Sequence, residues 1–283
     1  MLSKRWIINY ILVFLVILFT YIGNKYNVQP GYQTDHRISS LKHGEIDRIL
    51  IETASDSLSL AKVDGIWWLQ TPVQWPGNNV NINRLIDIVN QQTESKLPAS
   101  DADLKALGLM FPRANLQLND QQIVFGTTNN IGDRRYLLID KTVYLTPDIH
   151  FVFIAQGLPG LIDRRLLPDS MSLKSLQLPG FNIERDSTGI WKTDSRLSSS
   201  TTASDLIDNW QKREALSVKR FQSKSSPRQK IVAYLEDGRR QEFFLMAIEP
   251  EIVIANPAIG MQYHFQADDY YQMIAFRQNE TSD

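Results

Sequence analysis

The sequence predicts an α+β fold, with an N-terminal transmembrane helix followed by two tandem repeated α+β domains with mostly antiparallel sheets. Three observations predict it. An apolar run covers residues 6–23, the segment Gly65-Ile66-Trp67-Trp68-Leu69-Gln70-Thr71-Pro72 returns in shortened form as Gly189-Ile190-Trp191, and the hydrophobic pattern around the two copies repeats in the same order.

From the start of the chain, residues 1–5 form a short basic tail and residues 6–23 are interrupted only by Asn9, Tyr10, Thr20 and Tyr21. At about 1.5 Å per residue such a run reaches about 27 Å, close to the thickness of a bilayer's hydrocarbon core. No small-residue cleavage pattern follows it, which favours an uncleaved anchor over a signal peptide. Lys4 and Arg5 keep the tail cytoplasmic by the positive-inside tendency, which places the bulk of the chain outside a bacterial inner membrane, in the periplasm. Residues 24–43 are polar and read as a tether. The first repeat is expected over 44–157, a connector over 158–168, the second repeat over 169–276 and a frayed tail over 277–283.

Within the repeats, Ile46, Ile49 and Ile51 are echoed by Leu173, Leu176 and Leu178, and Leu58 and Leu60 by Phe181 and Ile183, as short strands leading into each Gly-Ile-Trp turn. Downstream, Ile82, Leu85, Ile86 and Val89 share one helical face, and Ala203, Leu206, Ile207 and Trp210 have identical spacing. Asn81 reads as the start of the first helix, and Thr202 with Asp205 as that of the second. Leu116 to Asp120 is answered by Ala233 to Asp237, Arg135 to Asp140 by Glu251 to Asn256, and Val143 to Leu145 by Gln262 to Phe265. The competing reading is two unrelated domains that share a tryptophan.

Alternation after the glycine turn sends Trp67 to one face and Trp68 to the other. Trp67, whose counterpart Trp191 recurs, is expected in the core, and so is Trp191. Trp68 and Trp75 are left as candidates for a binding surface. The connector, Leu158 to Pro168, has proline near both ends and an apolar interior, so it should be ordered and pack the two copies together. Tyr270 to Phe276 reads as a closing helix.

Further residues carry a resemblance. The pattern Trp67-x-Leu69-x-x-Pro72, then Asp103-Leu104 with Leu107-Gly108-Leu109 and Pro112, then Val124-Phe125-Gly126, Arg135-Tyr136, Val143-Tyr144-Leu145 and Asp163-Arg164-Arg165-Leu166-Leu167-Pro168 resembles a bacterial domain-of-unknown-function family. Members of that family are membrane-anchored extracytoplasmic proteins, often neighbouring gliding-motility-type ABC transporter auxiliary components. The resemblance covers residues 45–170 and reaches the second half only through the repeat. It implies a fold and a neighbourhood but no catalytic residues. The second copy lacks a Leu-Gly-Leu segment and has Leu216 to Lys230 instead.

The sequence carries no nucleotide-binding glycine loop, no nucleophile elbow and no HExxH zinc pattern, and its four histidines are scattered. No catalytic, cofactor-binding or metal-binding residue is assigned. Asp101, Asp103, Asp268 and Asp269 read as caps at turns. The formal net charge of −1 gives no global attraction to nucleic acid. One segment is asymmetric: Lys212, Arg213, Lys219, Arg220, Lys224, Arg228 and Lys230 face only Glu214. A solvated face is the simplest account. With Trp68 and Trp75, those seven cations form the candidate binding surface for an anionic lipid, a glycan or an acidic protein partner in the cell envelope. The expected role is a non-enzymatic membrane-anchored accessory or scaffold protein. The alternative is a binding module for a glycan or anionic envelope polymer, and a third reading is an envelope hydrolase.

Overall fold

The computed structural model of the protein describes residues 37–93, 95–129, 132–194, 202–222 and 226–275, together with Val13, Val16 and Leu18. Those three are helical. The expected anchor at 6–23 otherwise lies outside the described residues, as does the C-terminal tail, and among the described residues no helix is long and apolar enough to cross a membrane. The described residues from Arg37 onward form a single compact unit.

That unit is mostly antiparallel β-sheet, which corrects the α+β expectation. The first half contributes β1 (Arg48–Thr53), β2 (Ser57–Val63), β3 (Ile66–Thr71), β4 (Trp75–Pro76), β5 (Ser95–Pro98), β6 (Ala114–Leu118), β7 (Gln121–Asn129), β8 (Arg134–Ile139) and β9 (Thr142–Pro147). The second contributes β10 (Leu173–Leu178), β11 (Phe181–Arg185), β12 (Trp191–Thr193), β13 (Ser217–Arg220), β14 (Gln229–Leu235), β15 (Arg240–Ala247), β16 (Glu251–Asn256) and β17 (Met261–Gln266). Only two helices exceed five residues among the described residues, Asn79–Ile86 and Ala203–Lys212, one in each half. A helix-period pattern is conspicuous in a sequence, but one short helix is enough to cover each sheet, so the strands dominate.

The nine-stranded sheet runs β4-β3-β2-β1-β6-β7-β8-β9-β5, and the eight-stranded sheet runs β12-β11-β10-β14-β15-β16-β17-β13. Apart from β4 the two orders coincide strand for strand. In each half the chain makes a three-stranded meander, crosses one face as a helix, places a strand at the far edge, and returns through four strands that close the gap. Alternation explains the buried face: Ile49 and Ile51, Leu58 and Leu60, Leu116 and Leu118 all point inward against Ile82, Leu85 and Ile86 of the helix. In the second half Leu206, Ile207 and Trp210 play the helix's part, and Trp210 stands edge-on to Phe243 at 5.4 Å. The spacing of Leu173, Leu176 and Leu178 breaks strict alternation because β10 carries an irregularity between Leu173 and Ser175.

Local signals set the boundaries. The turn Asp64-Gly65 has φ of 50° and 82°, the mirror-image turn that matches the twist of β2 and β3. The first helix is capped by Asn78, whose side chain accepts from the Asn81 N–H at 3.1 Å, three residues earlier than expected. The second helix has the expected capping box between Thr202 and Asp205. The closing helix is a single turn, Tyr270–Met273. Leu107 C=O accepts from Thr127 N–H at 2.9 Å, and a Cβ on Gly126 would lie 2.3 Å from that oxygen, so the Leu-Gly-Leu segment lies directly on β7 at its irregularity.

The compact unit begins at Arg37, with Ile38 buried and its N–H bonded to Gln91 C=O at 3.0 Å. One continuous cluster of buried side chains runs through both halves. The connector joins them: Asn78 N–H donates to Leu161 C=O and Asp163 N–H to Pro76 C=O, while Ala215 N–H donates to Arg164 C=O and Leu167 N–H to Trp210 C=O. Trp75 and Tyr263 are fully buried at this junction. Burial, with the Asp163 carboxylate nearby, pushes the Tyr263 phenol well above its ordinary range.

The two repeated tryptophans differ. Trp67 is buried, with Lys62 over its ring at 5.8 Å. Trp191 has the equivalent cation, Arg185 at 5.3 Å, yet it is only half-buried, which corrects its assignment to the core. The cause is β4, which pairs beside β3 and has no counterpart beside β12. Replacing Trp67 by alanine is expected to destabilise the protein by about 3–5 kcal/mol. Trp191→Ala should cost about 1 kcal/mol. Urea unfolding of the two variants would show equal losses if the asymmetry were absent.

His150 is buried, its Nδ1–H donating to Arg84 C=O at 2.8 Å and its Nε2 lying 3.0 Å from the Gln91 side-chain oxygen. Desolvation lowers its pKa from the ordinary 6.5, against the opposing pull of the Arg84 carbonyl, Asp87 and Asp148. The unfolded chain therefore takes up this proton first. His150 leaves stability intact above pH 6.5 and erodes it as pH falls below that value, with a slope of at most about 1.4 kcal/mol per pH unit. Melting temperatures of wild type and His150→Gln, compared between pH 7.5 and 5, test this, and the variant should show the flatter profile.

Candidate functional site

The basic segment after the second helix folds into β13 and the loop beyond it. β13 lies at the far edge of its sheet, paired on one side with β17 and facing the first half on the other. Its cations divide into two groups. Lys212 pairs with Asp208 at 2.9 Å, Arg213 with Asp269 at 2.7 Å and with Asn209 and Gln272, Arg220 with Asp56, and Lys230 with Glu242 at 2.7 Å. The Lys230 ammonium holds the Glu242 carboxyl below its usual range. Lys219 and Arg228 have no carboxylate within ion-pair distance among the described residues. Lys224 lies outside the described residues. Four of the seven cations expected from sequence are therefore paired, and Lys219 and Arg228 are the exposed remainder among the described residues.

Two clefts meet at Lys219. One, of about 490 Å³, opens on the sheet and is lined by Lys219, Arg220, Gln222, Met246, Gln262 and His264. The other, of about 650 Å³, runs between the halves. Leu216 to Arg220 form one wall of it, and Asn78, Asn81, Gln156, Pro159 and Gly160 supply the facing wall. Arg164 stands at one end, donating to Ala215 and Leu216 C=O, and the Arg220–Asp56 pair bounds the other.

In the smaller cleft, Gln262 Nε2 lies 2.9 Å from His264 Nε2, and His264 Nδ1 lies 2.8 Å from a Glu251 oxygen. The amide N–H donates to Nε2, so Nδ1–H donates to the carboxylate. Both ring nitrogens are engaged, and Ser217, opposite His264 in the strand register, has no free imidazole nitrogen to meet. A serine activated by an imidazole needs such a nitrogen as its base. Asp103 accepts from Lys105 and Ala106 N–H as a turn cap, and Asp269 is held by Arg213. Among the described residues no three His, Asp or Glu side chains converge as a metal site would require.

The aromatic candidates separate. Trp68 is half-buried on β3, while Trp75 is buried at the junction of the halves and offers no stacking face. Sequence reasoning missed the inter-half cleft altogether, because its walls come from three segments, around residues 78–81, 156–164 and 216–220, that are remote along the chain. The only signal was the absence of acids near Lys219.

The comparisons with known proteins bear on part of this region. A family model described as a domain of unknown function (DUF4340) matches residues 67–236, crossing the connector and both halves. No curated protein and no solved structure matches.

Arg213→Ala should destabilise the protein by about 1–3 kcal/mol, because Asp269 is left buried without its partner. Lys219→Ala should change stability by no more than about 0.5 kcal/mol. Chemical denaturation of both variants distinguishes the structural cation from the free one.

Proposed function

The chain belongs to the DUF4340 family of domains of unknown function, and from that premise we propose that it is a non-enzymatic accessory or scaffold protein of the cell envelope. It presents a rigid two-sheet body on the extracytoplasmic side of the membrane and holds a protein partner of an ABC-transporter-linked system. What supports this reading above all is the inter-half cleft: its walls are fixed by the connector, and its lining holds Lys219, which has no acidic partner among the described residues, between the paired Arg164 and Arg220. The commitment of both His264 nitrogens favours holding over chemistry. The apolar run at residues 6–23 would keep the body near the membrane, and the transporter neighbourhood rests on the family resemblance.

A second reading, a module for an anionic envelope polymer, is favoured by the smaller cleft, where Lys219 and Arg220 stand beside two glutamine amides. In-cell crosslinking of the full-length protein, followed by mild detergent extraction and mass spectrometry, separates the two. Transporter subunits linked to residues of the folded unit are expected. Recovery of glycan or lipid alone would overturn the accessory role and put the polymer reading in its place.

A further inference from the structure

The larger cleft has an unusual wall: five consecutive residues, Leu216 to Arg220, line it. A strand can line a groove with consecutive residues only along its backbone edge, since its side chains alternate between faces. β13 is such an edge, pairing with β17 alone. Phe221 N–H bonds Gly260 C=O, and residues 217, 219 and 221 pair with 264, 262 and 260 in one register. By the antiparallel alternation, the N–H and C=O groups of Val218 and Arg220 therefore point away from β17 into the cleft. No backbone partner for them occurs among the described residues. Leu216 is already engaged, its N–H with His264 C=O and its C=O with Arg164, so the open edge runs from Val218 to Arg220, about 7 Å.

Native proteins usually blunt such an edge, since it is a template for another strand. The equivalent edge in the first half, β5, has Pro98 and an exposed Ser-Lys-Leu-Pro sequence. β13 has no proline and lies in a groove. Three cations line that groove: Arg164 pairs with Glu214 at 3.7 Å and Arg220 with Asp56 at its end, while Lys219 has no acidic partner among the described residues.

We propose that the free edge of β13 is a docking strand for an extended acidic segment of a partner protein. The segment adds as a further strand, exchanging main-chain hydrogen bonds with Val218 and Arg220 and setting a carboxylate against Lys219. This rests on the accessory reading and names the chemistry of the partner it holds. A second copy of this chain fits the edge poorly, because its own Lys219 and Arg220 would be brought against the same cations.

The test uses the full-length protein in mild detergent with two fluorescent eight-residue probes, one alternating valine with glutamate and one alternating valine with lysine, read by anisotropy. The Val–Glu peptide should bind at least tenfold more tightly than the Val–Lys peptide. Val218→Pro, which removes an outward N–H and leaves the β17 ladder its donors, and Lys219→Glu should each weaken that binding at least tenfold. Circular dichroism and melting temperature serve as the folding control, and Lys219→Glu keeps the test decisive should Val218→Pro fail to fold. Equal binding of the two probes, unchanged binding by the Lys219→Glu variant, or no binding at millimolar peptide would overturn the proposal, even where crosslinking has found a partner at another surface. Concentration-dependent dimerisation abolished by Val218→Pro would assign the edge to a second copy instead. Binding seen only after removal of residues 277–283 would assign it to the chain's own tail.

Discussion

The connector between the halves is the constraint on which the rest of the structure depends. Residues 158–168 donate and accept backbone hydrogen bonds on both sides, to Pro76 and Asn78 in the first half and to Trp210 and Ala215 in the second. Buried backbone groups must be paired, so these bonds fix the segment's path as firmly as a strand in a ladder. Leu158, Leu161, Ile162, Leu166 and Leu167 add their side chains to the common core. A repeat with two independent cores would let its halves move. Here Trp75 and Tyr263 are buried where the halves meet, and movement would expose them.

The same constraint creates the cleft. Arg164 leaves the connector to bind the carbonyls at the start of β13, and Arg220 at its end reaches Asp56 in the first half. These contacts hold an edge strand open at a fixed distance from the facing wall. Lys219, between them, is left without a carboxylate among the described residues, a single unpaired cation that the chain's near-neutral net charge conceals.

The motifs that carry the family resemblance are architectural in this fold. Arg135 makes a bidentate pair with Asp148, donates to Gly126 C=O at 2.6 Å and stacks on Phe151 at 3.8 Å, which locks β8 to the chain beyond β9. Leu107-Gly108-Leu109 fills the irregularity in β7, and Asp163-Arg164-Arg165 turns the connector between the halves, with Arg165 held on Asp163. The match to the family, over residues 67–236, crosses the connector and ends within the second half. The sequence resemblance covered residues 45–170 and reached the second half through the repeat; the match begins later and extends to residue 236.

The sequence by itself determined the repeated order of elements, the buried face of each strand and helix, and the capping of the second helix. These depend on local periodicity and on side chains reaching their own backbone within a few residues. It overestimated helix, because period counts in a sequence do not say how little helix a sheet needs to be covered. Only the tertiary structure decided that Trp75 is core and Trp191 half-exposed, since that turns on whether β4 pairs beside the edge. It also decided which cations of the basic segment are free. Arg213 and Arg220 find Asp269 and Asp56, which lie far away in sequence, and Lys219 finds no acid among the described residues. Ion pairing and cleft walls depend on distances between segments remote along the chain, and those distances exist only once the connector has brought the two sheets together.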